Sequence, residues 1–563
     1  STMYADVKRI EKIGRDRLTQ ENPRPHIQCE NTHSMGNSMG NQREYFDLYE
    51  KYPALTGEFI WDFKDQGLKT TYGSNGVEYW AYGGDFGDRP NDGNFCCNGL
   101  VLPDLSLTAK SYNTKKIYQP LEFRLKDGTK DTFIIKSKLA FASSDYLDVE
   151  YAVLEDGKVL SDGFIDKTVA AGDSIEVKIN AMPEKLTEGA GYFICFSARL
   201  KQATPWAPAG YELASEQILL ESDRMLYSPV TIEKTGKNLK KEENGDLLTV
   251  SGDNFSASFS KKMGTLLSYD YNGRRLIDNG VKLELFRLPT DNENGNRGRD
   301  MLYNGYRTMY VKDGSVECKE IEGLEIAVVH TQATYCGVEG RTVDVHMAYS
   351  IFPNGEIRVD SDIDPSREGD VVGRIGFRLE MPSGMENLTW YGRGPWESYR
   401  DRKEAAYEGI YTSTVTDQEV PYMKPQECGN KEDTRWMAIY ADNGAGAMFI
   451  APKHMSASAH HWRAEENWAN PRTRTGHQYQ LVTTPSTVVS LDAEMRALGN
   501  NSCGPDVLEK YELRLKKTHF EFIIRPVLLN SIKQNNVPVK HLEVDHQELV
   551  KLGRYRSPSI DAL

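Results

Sequence analysis

Residues up to about 117 alternate helix-like and strand-like runs, and beyond Tyr118 that alternation stops for the rest of the 563 residues. This switch constrains the fold more than any single residue does. Asp6 to Thr19 is amphipathic and charged, and His26-Ile27-Gln28-Cys29 reads as a short buried strand. Asn37 to Lys51 sets Tyr45, Leu48 and Tyr49 at helix-face spacing, and Thr56 to Trp61 reads as another strand. Strand, helix, strand predicts an α/β unit with parallel strands. Two such units cannot close a barrel or a doubly wound sheet alone.

After Tyr118 come short alternating runs such as Leu147-Asp148-Val149-Glu150-Tyr151 and Ile175-Glu176-Val177-Lys178-Ile179. They are punctuated by Asp156-Gly157, Ser161-Asp162-Gly163 and Ala171-Gly172-Asp173. Over about a hundred residues this predicts an immunoglobulin-like β-sandwich. The polar stretch from Lys234 to Asp246 reads as a linker or an exposed hairpin. Beyond it the chain stays strand-rich, with Leu247-Leu248-Thr249-Val250, Ile357-Arg358-Val359 and Phe520-Glu521-Phe522-Ile523-Ile524, which predicts one large antiparallel sandwich. A chain this long needs several cores. The expected domains are 1–117, 118–228 and 229–529, with 530–563 a polar extension or loosely held tail.

The 68 Lys and Arg face 82 Asp and Glu, a net charge of −14, which disfavours a nucleic-acid partner. No apolar run approaches the ~20 residues of a membrane-spanning helix, and the opening is not signal-like. The eight cysteines, at 29, 96, 97, 195, 318, 336, 428 and 503, form no C-x-x-C pair and no zinc spacing, so they read as scattered reduced thiols. A disulfide between the neighbours Cys96 and Cys97 would be strained. His460 and His461 are adjacent on a strand-like run and point to opposite faces, so they read as structural rather than as ligands of one ion.

Near the N-terminus a glutamate follows a strand, with Asn, His and a Met-Gly-Asn turn behind it. That is where α/β barrels display catalytic groups. This block, Cys29-Glu30-Asn31-Thr32-His33-Ser34-Met35-Gly36-Asn37-Ser38, is followed by Gly57-Glu58-Phe59-Ile60-Trp61-Asp62, Tyr82-Gly83-Gly84-Asp85-Phe86-Gly87-Asp88 and Asn98-Gly99-Leu100-Val101. The four blocks resemble the large β-galactosidases of glycoside hydrolase family 2. The likeness continues through Leu288-Pro289-Thr290-Asp291-Asn292-Glu293 and Tyr391-Gly392-Arg393-Gly394-Pro395 to Pro425-Gln426-Glu427-Cys428-Gly429-Asn430. It implies a multidomain chain: the last strands of a (β/α)8 TIM barrel, the immunoglobulin-like sandwich, and a large galactose mutarotase-like sandwich.

By that resemblance Glu30 is the nucleophile of a retaining β-galactosidase, forming a covalent galactosyl-enzyme that water hydrolyses. Tyr4, in Met3-Tyr4-Ala5, donates a hydrogen bond that keeps Glu30 ionised. His33 and Asn98 contact the sugar, and Trp61 offers its face to the apolar side of galactose. The Phe95 carbonyl and the Asn98 amide match a sodium site, weak and incomplete because its aspartate ligand belongs to an upstream region. Magnesium in the complete enzyme is held by residues this chain does not carry. The family also brings a late loop of the C-terminal sandwich to the site with a tryptophan for aglycones, and Val488 falls at its aligned position between Thr484 and Leu498.

A retaining glycosidase needs a second carboxyl about 5–5.5 Å from the first. In the resembled family it lies upstream of the nucleophile, and the residues before Glu30 offer only Asp6, Glu11, Asp16 and Glu21 in other settings. The expected partners are therefore a β-galactoside and a complementing N-terminal region or subunit, with homo-oligomerisation left open. The resemblance implies a cytoplasmic or periplasmic enzyme, the cytoplasm first. The isolated chain is expected to be inactive. The competing reading is a noncatalytic carbohydrate-binding or assembly β-sandwich fragment.

Overall fold

Strand β1 (Thr2–Met3) leads through helix α1 (Val7–Arg17), β2 (His26–Asn31) and α2 (Gln42–Lys51) to β3 (Leu55–Ile60). The Asp6 side chain caps α1 by accepting the Arg9 amide at 2.7 Å, and Arg15 and Arg17 in its last turn complement the helix dipole. Ile10 is fully buried in a cluster with Ala5, Tyr45, Leu48, Tyr52 and Leu55. Burial of such a side chain contributes about 1.5–3 kcal/mol. Gly14 is required by this packing, since a Cβ there would lie 2.6 Å from the Tyr52 ring.

The three strands pair in the order β1-β2-β3, all parallel, with Met3 beside Glu30 and Gln28 beside Glu58. The expected strand at His26 is present, but it is not buried throughout: His26, Gln28 and Asn31 are buried while Cys29 is exposed. Successive side chains on a strand face opposite ways, so a sheet covered by helices on one side exposes alternate positions on the other.

The computed structural model describes residues 1–187, 189–220, 228–229, 239–294, 296–320, 326–468, 476–529, 544–553 and 556–557. They divide into two units, Ser1–Ser111 with Ile232–Asp545, and Tyr112–Thr231 with His546–Leu563. In the second unit, sheets of three and four antiparallel strands face each other. Their shared core includes Phe123 and Phe196, whose rings stack at 5.0 Å. Residues 530–543 lie outside the described set, but His546–Gly553 is a helix with Leu549 and Val550 buried. One apolar face suffices to hold an otherwise polar segment.

In the first unit, Lys240–Asn244 and Leu247–Ser251 form the hairpin anticipated in the polar stretch, of which 234–238 are not described. They begin a five-stranded antiparallel sheet that shares one core with a twelve-stranded sheet running from Asn279–Glu284 to Thr518–Leu528. No helix among the described residues is long and apolar enough to cross a membrane.

Candidate active site

The C-terminal ends of the three parallel strands set out the side chains singled out in the sequence. Tyr4 directly follows β1, and its amide donates to the Glu30 carbonyl at 2.9 Å. Burial and the neighbouring Glu30 carboxylate push its phenol far above the ordinary value. Trp61 follows β3, its amide bonded to the Asn31 carbonyl at 3.1 Å, with 41% of the residue exposed. An indole held at a strand end and left in solvent is not a core residue.

His33 is buried between the Phe95 ring, stacked at 5.3 Å, and the edge of Tyr4 at 5.9 Å. Its Nδ1 lies 2.8 Å from Ser502 Oγ, and Asn98 Nδ2 lies 3.5 Å from its Nε2. Desolvation, reinforced by the positive charge of Lys110, lowers the imidazole to about 4, so His33 is neutral at physiological pH. Tyr4, Glu30, His33, Phe95 and Asn98 thus form one connected group.

The turn after His33 is fixed by polar contacts from the large sandwich. Asn37 Nδ2 donates to the Glu427 carbonyl at 2.7 Å, and Arg402 Nη1 donates to Asn37 Oδ1 at 2.7 Å and to the Ser38 carbonyl at 2.8 Å. Arg402 also pairs with Glu397 at 3.0 Å, with both side chains buried. Gln426 Oε1 accepts the Asn37 amide at 3.0 Å while its Nε2 donates to Asp291 at 2.9 Å. Asn292 donates to the Asn37 carbonyl at 3.2 Å, and Asn500 to the Gly40 carbonyl at 2.6 Å. Gly36 has φ +57, and a Cβ there would sit 2.4 Å from Gln426 Oε1, so only glycine fits.

Three contributors escaped the sequence reading. Lys110 is buried and donates to the Ser34 and Gly99 carbonyls at 2.6 and 2.7 Å, tying the two loops together; burial lowers its ammonium to about 8. Ser502 orients His33, and Cys503 beside it has its thiol raised by burial and by the Glu30 charge. A lysine in a polar helix and a Ser-Cys pair in a loop carry no pattern that would single them out.

No second carboxyl is placed for acid/base work by the strand that follows Glu30. Glu58 is raised by burial and bound by Asn31, by Thr32 at 3.4 Å and by Tyr49 at 3.1 Å. Asp62 accepts from Lys64 N at 3.0 Å and Gln66 Nε2 at 2.9 Å.

Family models match three successive stretches: "Glycosyl hydrolases family 2, TIM barrel domain" over 1–123, "Beta-galactosidase, domain 4" over 133–221 and "Beta galactosidase small chain" over 251–524. The chain belongs to glycoside hydrolase family 2. Among its curated relatives, the β-galactosidase of Priestia megaterium is 32% identical over 89% of this chain and 47% of its own length. That of Streptococcus thermophilus is 31% identical over 91% and 48%. The chain thus spans about half the length of the curated relatives it matches. Galactose 1-epimerase from Lactobacillus acidophilus aligns over 51% of this chain and 97% of its own at 11% identity, with a TM-score of 0.26. That likeness is too slight to argue from.

One expectation drawn from family 2 needs correcting. Val488 is buried within strand Thr483–Met495, paired on both sides, and cannot face the site. The loop that reaches Glu30 comes after that strand and carries Ser502 and Cys503. Spacing alone could not tell where the chain leaves the sheet. For the expected sodium ligands, Asn98 Oδ1 is buried without a hydrogen-bond partner, and the Phe95 carbonyl accepts from Asn98 Nδ2 at 3.2 Å. Two hard oxygens on one turn suit a hard cation.

Proposed function

We propose that the chain is the nucleophile-bearing part of a retaining β-galactosidase. The observation that carries this reading is the placement of Tyr4 and Glu30 together at the ends of adjacent parallel strands, near enough that the carboxylate raises the phenol, beside an exposed Trp61 and a neutral His33. Glu30 attacks the anomeric carbon, forming a carboxylate–sugar bond as the bond to the aglycone oxygen breaks. Tyr4, beside it at the end of β1, holds the carboxylate in place. Trp61 stacks on the C–H-rich face of galactose while His33 and Asn98 contact its hydroxyls, and the Ser502–Cys503 loop borders the leaving-group side. The Phe95 carbonyl and Asn98 Oδ1 would hold a sodium ion, which supplies a fixed positive charge next to the sugar. In the complete enzyme magnesium is carried by other residues.

The aglycone oxygen must take a proton from a second carboxyl, which then activates water to release the sugar. We assign that group to an upstream polypeptide, in cis or in trans, that extends the parallel sheet. Among the described residues β1 is paired on one side only and Met3 on it is exposed, whereas the chain continuing β3 is bonded to 98–101, Asp62 N to the Asn98 carbonyl at 2.7 Å and Val101 N to the Phe63 carbonyl at 3.0 Å. Hydrolysis of nitrophenyl β-D-galactoside tests the assignment. The chain alone should be inert, and addition of the upstream polypeptide should restore turnover that Glu30→Gln abolishes. Turnover by the chain alone that survives Glu30→Gln overturns the proposal, and a chain that stays inert but still binds galactosides supports the noncatalytic reading.

A further inference from the structure

We propose that Glu419, Cys428 and His460 form a buried zinc site in the large sandwich. One ligand atom from each lies within 4.8 Å of the other two. Cys428 and His460 are buried, and Cys428 Sγ is 3.6 Å from Glu419 Oε2. A second cluster of the same kind, Asp360, His519 and Glu521, includes an exposed His519 already bonded to Asp362 at 3.0 Å.

Two further observations favour a metal over chance packing. His460 Nε2 lies 3.0 Å from the Cys428 carbonyl, and its Nδ1 is buried with no hydrogen-bond partner. An imidazole that gives one N–H to a backbone carbonyl keeps the lone pair of its other nitrogen for a ligand. Trp462 Nε1 donates to Glu419 Oε2 at 2.6 Å, and its ring stacks on His460 at 4.5 Å, so two of the three candidate ligands are already oriented.

The donor set selects the ion. Sulfur, nitrogen and one carboxylate oxygen suit Zn²⁺, with water completing the tetrahedron, and do not suit the all-oxygen preferences of Mg²⁺ or Ca²⁺. Charge also balances. Binding breaks the S–H bond and, where it is protonated, the carboxyl O–H bond. The protons pass to water and the electron pairs to the metal. Two negative ligands then cancel the ion's charge, so the occupied site carries no net charge. The sequence could not suggest this, because 419, 428 and 460 come from separate elements with no zinc spacing.

The test uses the full reduced chain with Co²⁺ alone and Zn²⁺ alone. One equivalent of Co²⁺ should give a thiolate-to-metal charge-transfer band. Cys428→Ser should remove the band and weaken Zn²⁺ binding by about 100-fold or more, and His460→Gln should weaken binding comparably. X-ray absorption of the unmutated Zn²⁺ form, which does not depend on any variant folding, should show one sulfur among four ligands. A zinc shell without sulfur, a band that survives Cys428→Ser, or no tightly held equivalent overturns the site.

Discussion

His33 titrates at about 4 in the folded chain against about 6.5 unfolded, because burial and Lys110 disfavour the imidazolium. Between those values the unfolded chain binds a proton that the folded chain refuses, so stability rises with pH there. The stabilisation is complete above about pH 6.5 and is lost as pH falls towards 4, by roughly 3 kcal/mol in all. The Cε1–H resonance of His33, assigned by its loss in His33→Gln, should stay flat from pH 8 to 5 and move only below. Titration near 6.5 would show the ring to be solvated and free to charge, and its neutral role against the sugar would fail with it.

At the scale of elements, the turn from Met35 to Asn41 depends on residues 250 to 460 positions away in the chain. Arg402 is the strongest single contact, satisfying Asn37, Ser38 and Glu397 at once. Arg402→Ala leaves Glu397 buried without its cation and should cost about 3–5 kcal/mol. Urea unfolding should show the midpoint of the first unit lowered, with galactosidase activity in the complemented enzyme reduced alongside. An unchanged midpoint would mean that the turn is held by other means. The helices and strands around this turn were legible because buried apolar residues recur at 3.6 or 2. The clamp was not, because buried polar residues obey no period and their partners are set by tertiary packing. The blocks at 288–293 and 425–430 stood out only by resemblance, and the structure supplies their physical reason: Asp291, Asn292, Gln426 and Glu427 reach the turn. Val488 was misplaced for a related reason, since a strand residue and a loop residue fifteen positions later look alike in spacing.

At the scale of the molecule, three parallel strands end in a site that holds the Glu30 carboxylate, and the β1 edge of that sheet is open among the described residues, while the chain after β3 pairs with 98–101. An unpaired strand edge is a template for another strand. On the proposed reading, an upstream polypeptide would add at the β1 edge as a structural as well as a chemical complement. The central claim, that Glu30 forms the covalent bond to galactose, is tested most directly by mapping the adduct. The complemented enzyme is treated with a 2-fluoro galactosyl fluoride, which slows release of the sugar, then digested and sequenced by mass spectrometry. The account predicts one galactosyl ester, on Glu30. An ester on another carboxylate, or turnover of galactosides with no ester trapped, would contradict it.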